Sequence, residues 1–110
     1  MEQMRLFKAE FFKALSNPLR IAIIDVLRDG EHGVNEIATA LKLEQAVVST
    51  QLSLLRSKRI VKFRKEGSYV YYSISDPAIF NLLDDASTIF KNHLINLKDM
   101  LVEFENNSKD

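Results

Sequence analysis

The sequence contains no cysteine and no tryptophan, and it has only three glycines and two prolines among 110 residues. Without a thiol the chain can form no disulfide, no thiolate metal site and no thiol redox switch. Three scattered glycines make no glycine-rich phosphate loop. Neither histidine has a nearby partner in the sequence that would complete a catalytic set, so we predict that the chain is not an enzyme.

Long hydrophobic runs are also missing. Every apolar run is shorter than the roughly 18 to 20 residues that a membrane span requires. Glu2, Arg5 and Lys8 interrupt the N-terminus where a signal peptide would have its apolar segment. We therefore expect a cytoplasmic protein with no membrane partner. The 46% hydrophobic content suits one core, and we assign residues 1–110 to a single domain.

The charges cancel in sum but are segregated along the chain. Between positions 42 and 65 the basic residues are Lys42, Arg56, Lys58, Arg59, Lys62, Arg64 and Lys65, and the only acidic residue is Glu44. After position 75 acidic residues predominate. A local basic surface is what contacts to DNA phosphates require, although charge spread for solubility is the simpler alternative.

The basic region begins with a predicted helix at residues 45–57. Val48, Leu52 and Leu55 recur at the spacing of one buried helical stripe. The outward side chains are short and polar with one cation, namely Gln45, Ala46, Ser49, Thr50, Gln51, Ser53 and Arg56. Such a face can approach base edges, and Gln51 can form paired hydrogen bonds to adenine. The pattern predicts a helix that reads the major groove, the alternative being that these residues only solvate the helix.

Two β-prone runs follow, at residues 60–63 and 69–74, and a polar connection that contains Gly67 joins them. A glycine in a short polar connection indicates a β-hairpin. Its cations, predicted to stay in solvent, are Lys62, Arg64 and Lys65.

Shorter signals precede the basic region. Asn17 and Pro18 are a helix cap and a first helical residue, and they predict a helix that ends near Arg28. Asn35 is predicted to cap another helix at residues 36–41, and Val34 to begin a very short strand.

Several motifs occur in a fixed order between residues 11 and 76. They are ALSNPLR at 14–20, VSTQLSLLR at 48–56, Ile60-Val61, RKEG at 64–67 and VYYSI at 70–74. In this order and spacing they resemble the winged helix-turn-helix of the ArsR/SmtB family of bacterial repressors. The resemblance implies a mainly α fold of about five helices with a small β-hairpin wing, in which residues 34–57 form the helix-turn-helix and residues 60–74 the wing. One position departs from the family: Glu44 stands where Ser is common, and Glu is a weaker helix cap.

The resemblance implies a homodimeric repressor that binds a pseudo-palindromic operator in double-stranded DNA, with one reading helix for each half-site. Backbone contacts are expected from Arg56, Lys62, Arg64 and Lys65, and the wing tip, Gly67-Ser68, is expected near the minor groove. The alternative is a protein-interaction module whose long C-terminal helix binds another protein.

Two helices, residues 1–15 and 77–105, are predicted to form the dimer interface. Apolar residues recur at three- and four-residue steps along the last helix, which at roughly 40 Å is longer than one small domain can cover. A second copy is the economical partner, and a helix folded back on its own domain is the alternative. The predicted interface residues are Phe7, Phe11, Leu82, Ile89, Phe90, His93, Leu97, Met100 and Phe104. Residues 106–110 are predicted to form a frayed tail.

The resemblance implies a repressor that an inducer, often a metal, releases. The family's thiolate metal site would lie near residues 36–41, which lack cysteine, and its other metal site uses Asp and His pairs on the last helices of two subunits, where this sequence offers only His93 with Asp84 or Asp85. We therefore predict no cofactor and no metal site. Three alternatives remain for the signal: an organic ligand among the interface aromatics, a protein partner, or no inducer.

Overall fold

Five α-helices and three short strands make up residues 1–108, the part of the chain that the computed structural model describes. They are α1 (Glu2–Leu15), α2 (Pro18–Val26), β1 (His32–Gly33), α3 (Val34–Leu41), α4 (Gln45–Ser57), β2 (Val61–Glu66), β3 (Tyr69–Ile74) and α5 (Ala78–Ser108). A short 3-10 turn, Leu27–Asp29, prolongs α2. This order confirms the predicted class, mainly α with a small β-hairpin wing. The chain divides into two compact units, the first ending at Pro77 and the second beginning at Ala78.

The core of the first unit is built from apolar residues on each of its helices and at the start of the hairpin. Its buried apolar residues are Ala14, Leu15, Ile23, Ile24, Leu27, Ile37, Ala38, Val48, Leu52, Leu55, Ile60 and Val61. The predicted inner stripe of α4 is confirmed, since Val48, Leu52 and Leu55 are each 0% exposed. Burial of this stripe fixes which face of α4 is left for solvent.

The two short helices before α4 begin at different kinds of cap. Asn17 caps α2 as predicted, and its Oδ1 accepts hydrogen bonds from the N–H groups of Leu19 (2.8 Å) and Arg20 (3.3 Å). The predicted Asn35 cap was wrong, because α3 begins at Val34 and its cap residue is Gly33. The Glu36 carboxylate accepts the N–H of Gly33 at 3.1 Å. Val34 is therefore the first helical residue and lies after the strand.

The three strands form one antiparallel sheet in the order β1-β3-β2. The pairs run from Val61 opposite Ile74 to Glu66 opposite Tyr69. The predicted end of the first hairpin strand at residue 63 was wrong, because residues 64–66 also have partners in β3. Only Gly67 and Ser68 remain in the loop, and Gly67 has φ 63°. A positive φ at the first of two loop residues is typical of the type II′ turn, which matches the twist of paired strands.

The second unit is the single helix α5, 31 residues long. Helical structure continues through Ser108, so the predicted frayed tail was wrong for residues 106–108, and Lys109 and Asp110 lie outside the described residues. Every side chain from Asp84 to Ser108 is exposed. Within residues 1–108, α5 and the other helices lack the combination of length and apolarity that crossing a membrane demands.

Candidate nucleic-acid interface

The outward face of α4 is exposed, and its side chains are short and include no carboxylate. It consists of Gln45, Ala46, Ser49, Thr50 and Ser53, which we call the reading face, and all five are exposed. The Thr50 hydroxyl donates to the carbonyl of Ala46 at 2.9 Å. Because its proton is used within the helix, the Thr50 oxygen is available to an approaching ligand only as an acceptor. The side chain of Glu44, at the cap position, makes no hydrogen bond to the first turn of α4.

Gln51 lies apart from the other predicted reading residues. Its side chain is half-buried on the flank of α4, and its Oε1 accepts a hydrogen bond from Nη1 of Arg20 at 3.2 Å. The same guanidinium donates through Nε to the carbonyl of Ala14 at 2.6 Å. Arg20 therefore links the end of α1 to α2 and α4, and one lobe of the Gln51 amide is already occupied by protein.

Arg56 joins α4 to the hairpin. Its guanidinium lies over the ring of Phe63, 3.8 Å from the ring centroid, which is a cation–π contact. Nearby, the hydroxyl of Ser75 lies 2.6 Å from the carbonyl oxygen of Arg59 and 2.8 Å from that of Ile60. The end of α4 and the start of β2 are thus held from two sides.

The hairpin has two chemically different faces, which follow from alternation along β2. Val61, Phe63 and Lys65 share the inner wing face, where Val61 is buried and Phe63 meets α4. Lys62, Arg64 and Glu66 share the outer wing face. Rings pair within each face, as Phe63 with Tyr72 at 6.3 Å and Tyr69 with Tyr71 at 6.5 Å. Lys62, Lys65, Gly67 and Ser68 are all exposed.

Arg64 is the most heavily paired cation of the hairpin. Its Nε lies 2.8 Å and 3.0 Å from the two carboxylate oxygens of Glu31, and its Nη1 lies 2.7 Å from Oε2 of Glu66. The guanidinium also lies 4.7 Å from the ring centroid of Tyr71. The hydrogen bond from Arg64 lowers the pKa of Glu31, and the two carboxylates raise the pKa of Arg64.

His32 has the two nearby partners that we did not predict from the sequence. Nε2 lies 2.7 Å from Oδ1 of Asp29, and Nδ1 lies 3.0 Å from Oε2 of Glu36. Hydrogen bonds to Asp29 and Glu36 raise the pKa of His32, and the same bonds lower the pKa of each carboxyl group. The spacing of three and four residues was the available signal, but helical proximity was not expected across a loop. Nowhere in residues 1–108 do three or more ligand side chains gather as a metal site.

The predicted interface residues are largely uncovered. Phe7 is 67% exposed and stacks on the half-buried Phe11 at 6.0 Å between ring centroids. Leu82 is half-buried. The other exposed members are Ile89, Phe90, His93, Leu97, Met100 and Phe104, all on α5.

Comparison with known proteins identifies this architecture. Residues 17–62 match the model of the arsR family of bacterial regulatory proteins. An HTH-type transcriptional regulator of Mycobacterium tuberculosis, Rv0081, is 39% identical over 83 residues, which cover 74% of this chain and 73% of that protein. The chain belongs to the ArsR family. Members of this family are transcriptional regulators, so the prediction that the chain is not an enzyme is confirmed.

Other members of the ArsR family extend the likeness. A transcriptional repressor SmtB homolog from Synechocystis sp. is 45% identical over 74 residues, which cover 67% of this chain and 56% of that protein, so the match spans little more than half of its length. The crystal structure of Rv0081 covers 84% of this chain and 94% of its own, with a TM-score of 0.76 and 35% identity. A homodimeric winged helix-turn-helix DNA-binding domain, Mb0332 from Mycobacterium bovis, aligns with 84% of this chain over 86% of its own length, with a TM-score of 0.75 and 32% identity.

Proposed function

We propose that this chain is a homodimeric transcriptional repressor that binds a pseudo-palindromic operator in double-stranded DNA. The observation that carries the proposal is the reading face of α4, which is exposed, built of short side chains and free of carboxylates. Such a surface can lie against base edges without charge repulsion from the flanking phosphates. Relatives of the chain include a transcriptional repressor and a homodimeric DNA-binding domain, which supports the same proposal.

Base recognition falls to the reading face. Thr50, as an acceptor, suits an amino group in the major groove, which adenine and cytosine present. Gln45 and Ser49 can donate and accept. Gln51, predicted to pair with adenine, is better placed to support α4 through Arg20 than to form two bonds to one base. Among the cations, Arg56, Lys62 and Lys65 are assigned to the DNA backbone, and Gly67-Ser68 to the neighbourhood of the minor groove.

Dimerisation is proposed through α1 and α5. Each helix carries large apolar side chains that remain exposed in the single chain, such as Phe7 on α1 and Phe90 on α5. Exposed apolar surface of this extent marks an interaction site, and a two-fold pairing of identical helices covers it with one kind of contact. When the reading helices of a two-fold dimer enter successive major grooves they lie about 34–36 Å apart, one turn of the duplex, and the two-fold symmetry requires a pseudo-palindrome.

The signal that releases the repressor is proposed to bypass cysteine thiolates, since the sequence has none. Three alternatives remain for that signal: a small organic molecule, a protein partner, or no inducer.

The proposal is tested by selection of binding sites from a pool of random duplexes with the purified chain. We expect an enriched motif with two-fold symmetry and half-sites about 10 base pairs apart, because two-fold related helices that enter successive major grooves are about one helical turn apart. Fluorescence anisotropy on the selected duplex should then give affinity that falls steeply with salt. Selection that yields no motif, with no salt-dependent binding, would support the protein-interaction module instead.

A matched pair of variants tests the reading face itself. Thr50→Ala removes the acceptor, and Thr88→Ala removes the equivalent hydroxyl on α5, which bonds to the carbonyl of Asp84 at 3.2 Å. We expect Thr50→Ala to change base preference at one position of each half-site, by roughly 1–3 kcal/mol for a lost base contact. Thr88→Ala should leave the preference unchanged. Equal behaviour of the two variants would mean that Thr50 makes no contact that selects a base.

A further inference from the structure

The hairpin carries neighbouring cations, Arg64 and Lys65, that alternation places on opposite wing faces. We infer that, of these two cations, Lys65 is the one that contacts the DNA backbone, and that Arg64 is a positioning residue that braces the wing against the loop before β1. The inference rests on the proposed DNA-binding function and assigns separate roles to two residues that the sequence pattern treats alike.

Most N–H groups of the Arg64 guanidinium are already hydrogen-bonded to carboxylates, which leaves few of them to bind a phosphate. Both carboxylate oxygens of Glu31 lie within 3.0 Å of its Nε, and Oε2 of Glu66 lies 2.7 Å from Nη1. A guanidinium binds phosphate with the same fork of N–H groups that Arg64 has already turned toward carboxylates. The set of one cation and two anions is net negative, so this part of the outer wing face repels a DNA strand.

The Arg64 contacts are placed to hold the hairpin. Glu31 immediately precedes β1, which pairs with β3 through His32 opposite Tyr72 and Gly33 opposite Tyr71. Arg64 lies on β2, at the other edge of the sheet. The ion pair therefore spans the sheet from β2 to the loop before β1, with the Tyr71 ring beneath the guanidinium. A strand of only two residues adds few ladder bonds, so a side-chain brace gives the sheet a second connection.

Lys65 has the opposite surroundings. It follows Val61 and Phe63 on the inner wing face, and Phe63 lies under Arg56 from α4. Lys65 is exposed, and among residues 1–108 no carboxylate forms an ion pair with it. Its charge is therefore free, and it lies on the side of the sheet that α4 occupies. When α4 enters a major groove, the phosphates that border the groove are the groups within reach of that side.

Two matched variants separate the roles, because Lys65→Gln and Arg64→Gln remove the same charge from adjacent positions. Each variant is titrated with salt on the selected duplex, and the slope of log affinity against log salt is compared with that of the unmodified protein. We expect Lys65→Gln to reduce the magnitude of the slope by about 0.9, the loss of one phosphate contact. Arg64→Gln should keep the slope and lower the affinity equally at every salt concentration. A reduced slope in Arg64→Gln, or an unchanged slope in Lys65→Gln, would overturn the inference.

The brace is tested without DNA by hydrogen exchange of the β2 and β3 amides. Arg64→Gln and Glu31→Gln should each speed that exchange at least threefold, and the double variant should be no faster than Arg64→Gln alone, because Arg64→Gln already removes the contact with Glu31. Independent, multiplying effects would contradict the brace. If the unmodified protein shows no salt-dependent DNA binding, the proposed function fails, whereas the exchange experiment still reports on Arg64 alone.

Discussion

Helices α4 and α5 have the same apolar periodicity, but the apolar stripe is buried on α4 and exposed on α5. The stripe of α4 is buried completely within the first unit, whereas on α5 Ile89 is 68% and Phe90 60% exposed. The same spacing therefore predicts a helix in both cases but does not say where its cover comes from. On α4 the cover is local and the polar face is left for a ligand. On α5 the apolar face itself is left, and we propose a second copy as its cover.

The largest expected effect contrasts one leucine on each helix. Leu52→Ala, at a site that is 0% exposed, should lower the free energy of unfolding by about 2–5 kcal/mol, because it leaves a cavity in the core. Leu97→Ala on α5 should change it by less than about 0.5 kcal/mol when the chain is dilute enough to be monomeric. Urea denaturation followed by circular dichroism measures both. Equal losses would mean that the α5 stripe is covered within one chain.

A somewhat smaller effect concerns the dimer. Phe90→Asp places a charge on the α5 stripe of both copies, and we expect the dimer dissociation constant to rise about 100-fold, since two buried like charges repel without partners. The control is Ile95→Asp, because Ile95 is also exposed but lies on the opposite side of the helix by its 3.6-residue period. Sedimentation velocity at several concentrations distinguishes them. Dissociation by Ile95→Asp instead would place the interface on another face of α5.

The next effect concerns the N-terminus of α4, where no side chain caps the helix. The helix is held there by the burial of its apolar stripe. Glu44→Ser should raise the free energy of unfolding by about 0.5–1 kcal/mol, because a serine hydroxyl can accept an N–H of the first turn. Asn17→Ala is the reciprocal control and should cost about 1 kcal/mol, since it removes the existing cap of α2. A loss of stability in Glu44→Ser would show that Glu44 has a structural role that its contacts do not reveal.

The smallest effect is electrostatic and also belongs to the unit that contains α4. Because Asp29 and Glu36 raise the pKa of His32, its protonated form stabilises the fold. This contribution is complete below the unfolded pKa of 6.5 and is lost as pH rises through the higher folded pKa. The pKa values of Asp29 and Glu36 are lowered in the folded chain, so their contribution to stability is present above the unfolded values of 3.8 and 4.5 and is lost as pH falls through the lower folded values. Urea denaturation at several pH values between 5.5 and 8 should show that the free energy of unfolding declines as pH rises, and that His32→Gln abolishes this decline. A decline of the same size in His32→Gln would contradict the assignment to His32.

Local patterns account for the parts of the fold that local chemistry decides. The bounds of α4, its stripe of Val48, Leu52 and Leu55, and the Asn17 cap all follow from side chains within a few residues of one another. The start of α3 does not, because Gly33 is held extended by its pairing with Tyr71 and so ends the strand where the helix begins. Asn35 is the better cap by propensity, but the pairing of Gly33 with Tyr71, 38 residues later in the chain, determines where the helix begins.

The candidate site divides in the same way. The reading face could be predicted from α4 alone, and its role in DNA binding stays a prediction. Arg64 could not be assigned, because its principal partner, Glu31, is 33 residues distant in the sequence. Gln51 likewise meets Arg20 across 31 residues. Composition indicates which side chains are cationic or polar, but only the packing of the helices and strands determines which of them are already engaged.

The contact between Arg56 and Phe63 has a mechanical consequence for regulation. Together with the Ser75 hydroxyl at the junction, it ties the reading helix to the hairpin at two points, so we expect a tilt of one to move the other. An inducer that lowers affinity would then change the angle at which α4 and the hairpin together meet the duplex. The protein would leave both half-sites although none of the residues that contact DNA had itself been altered.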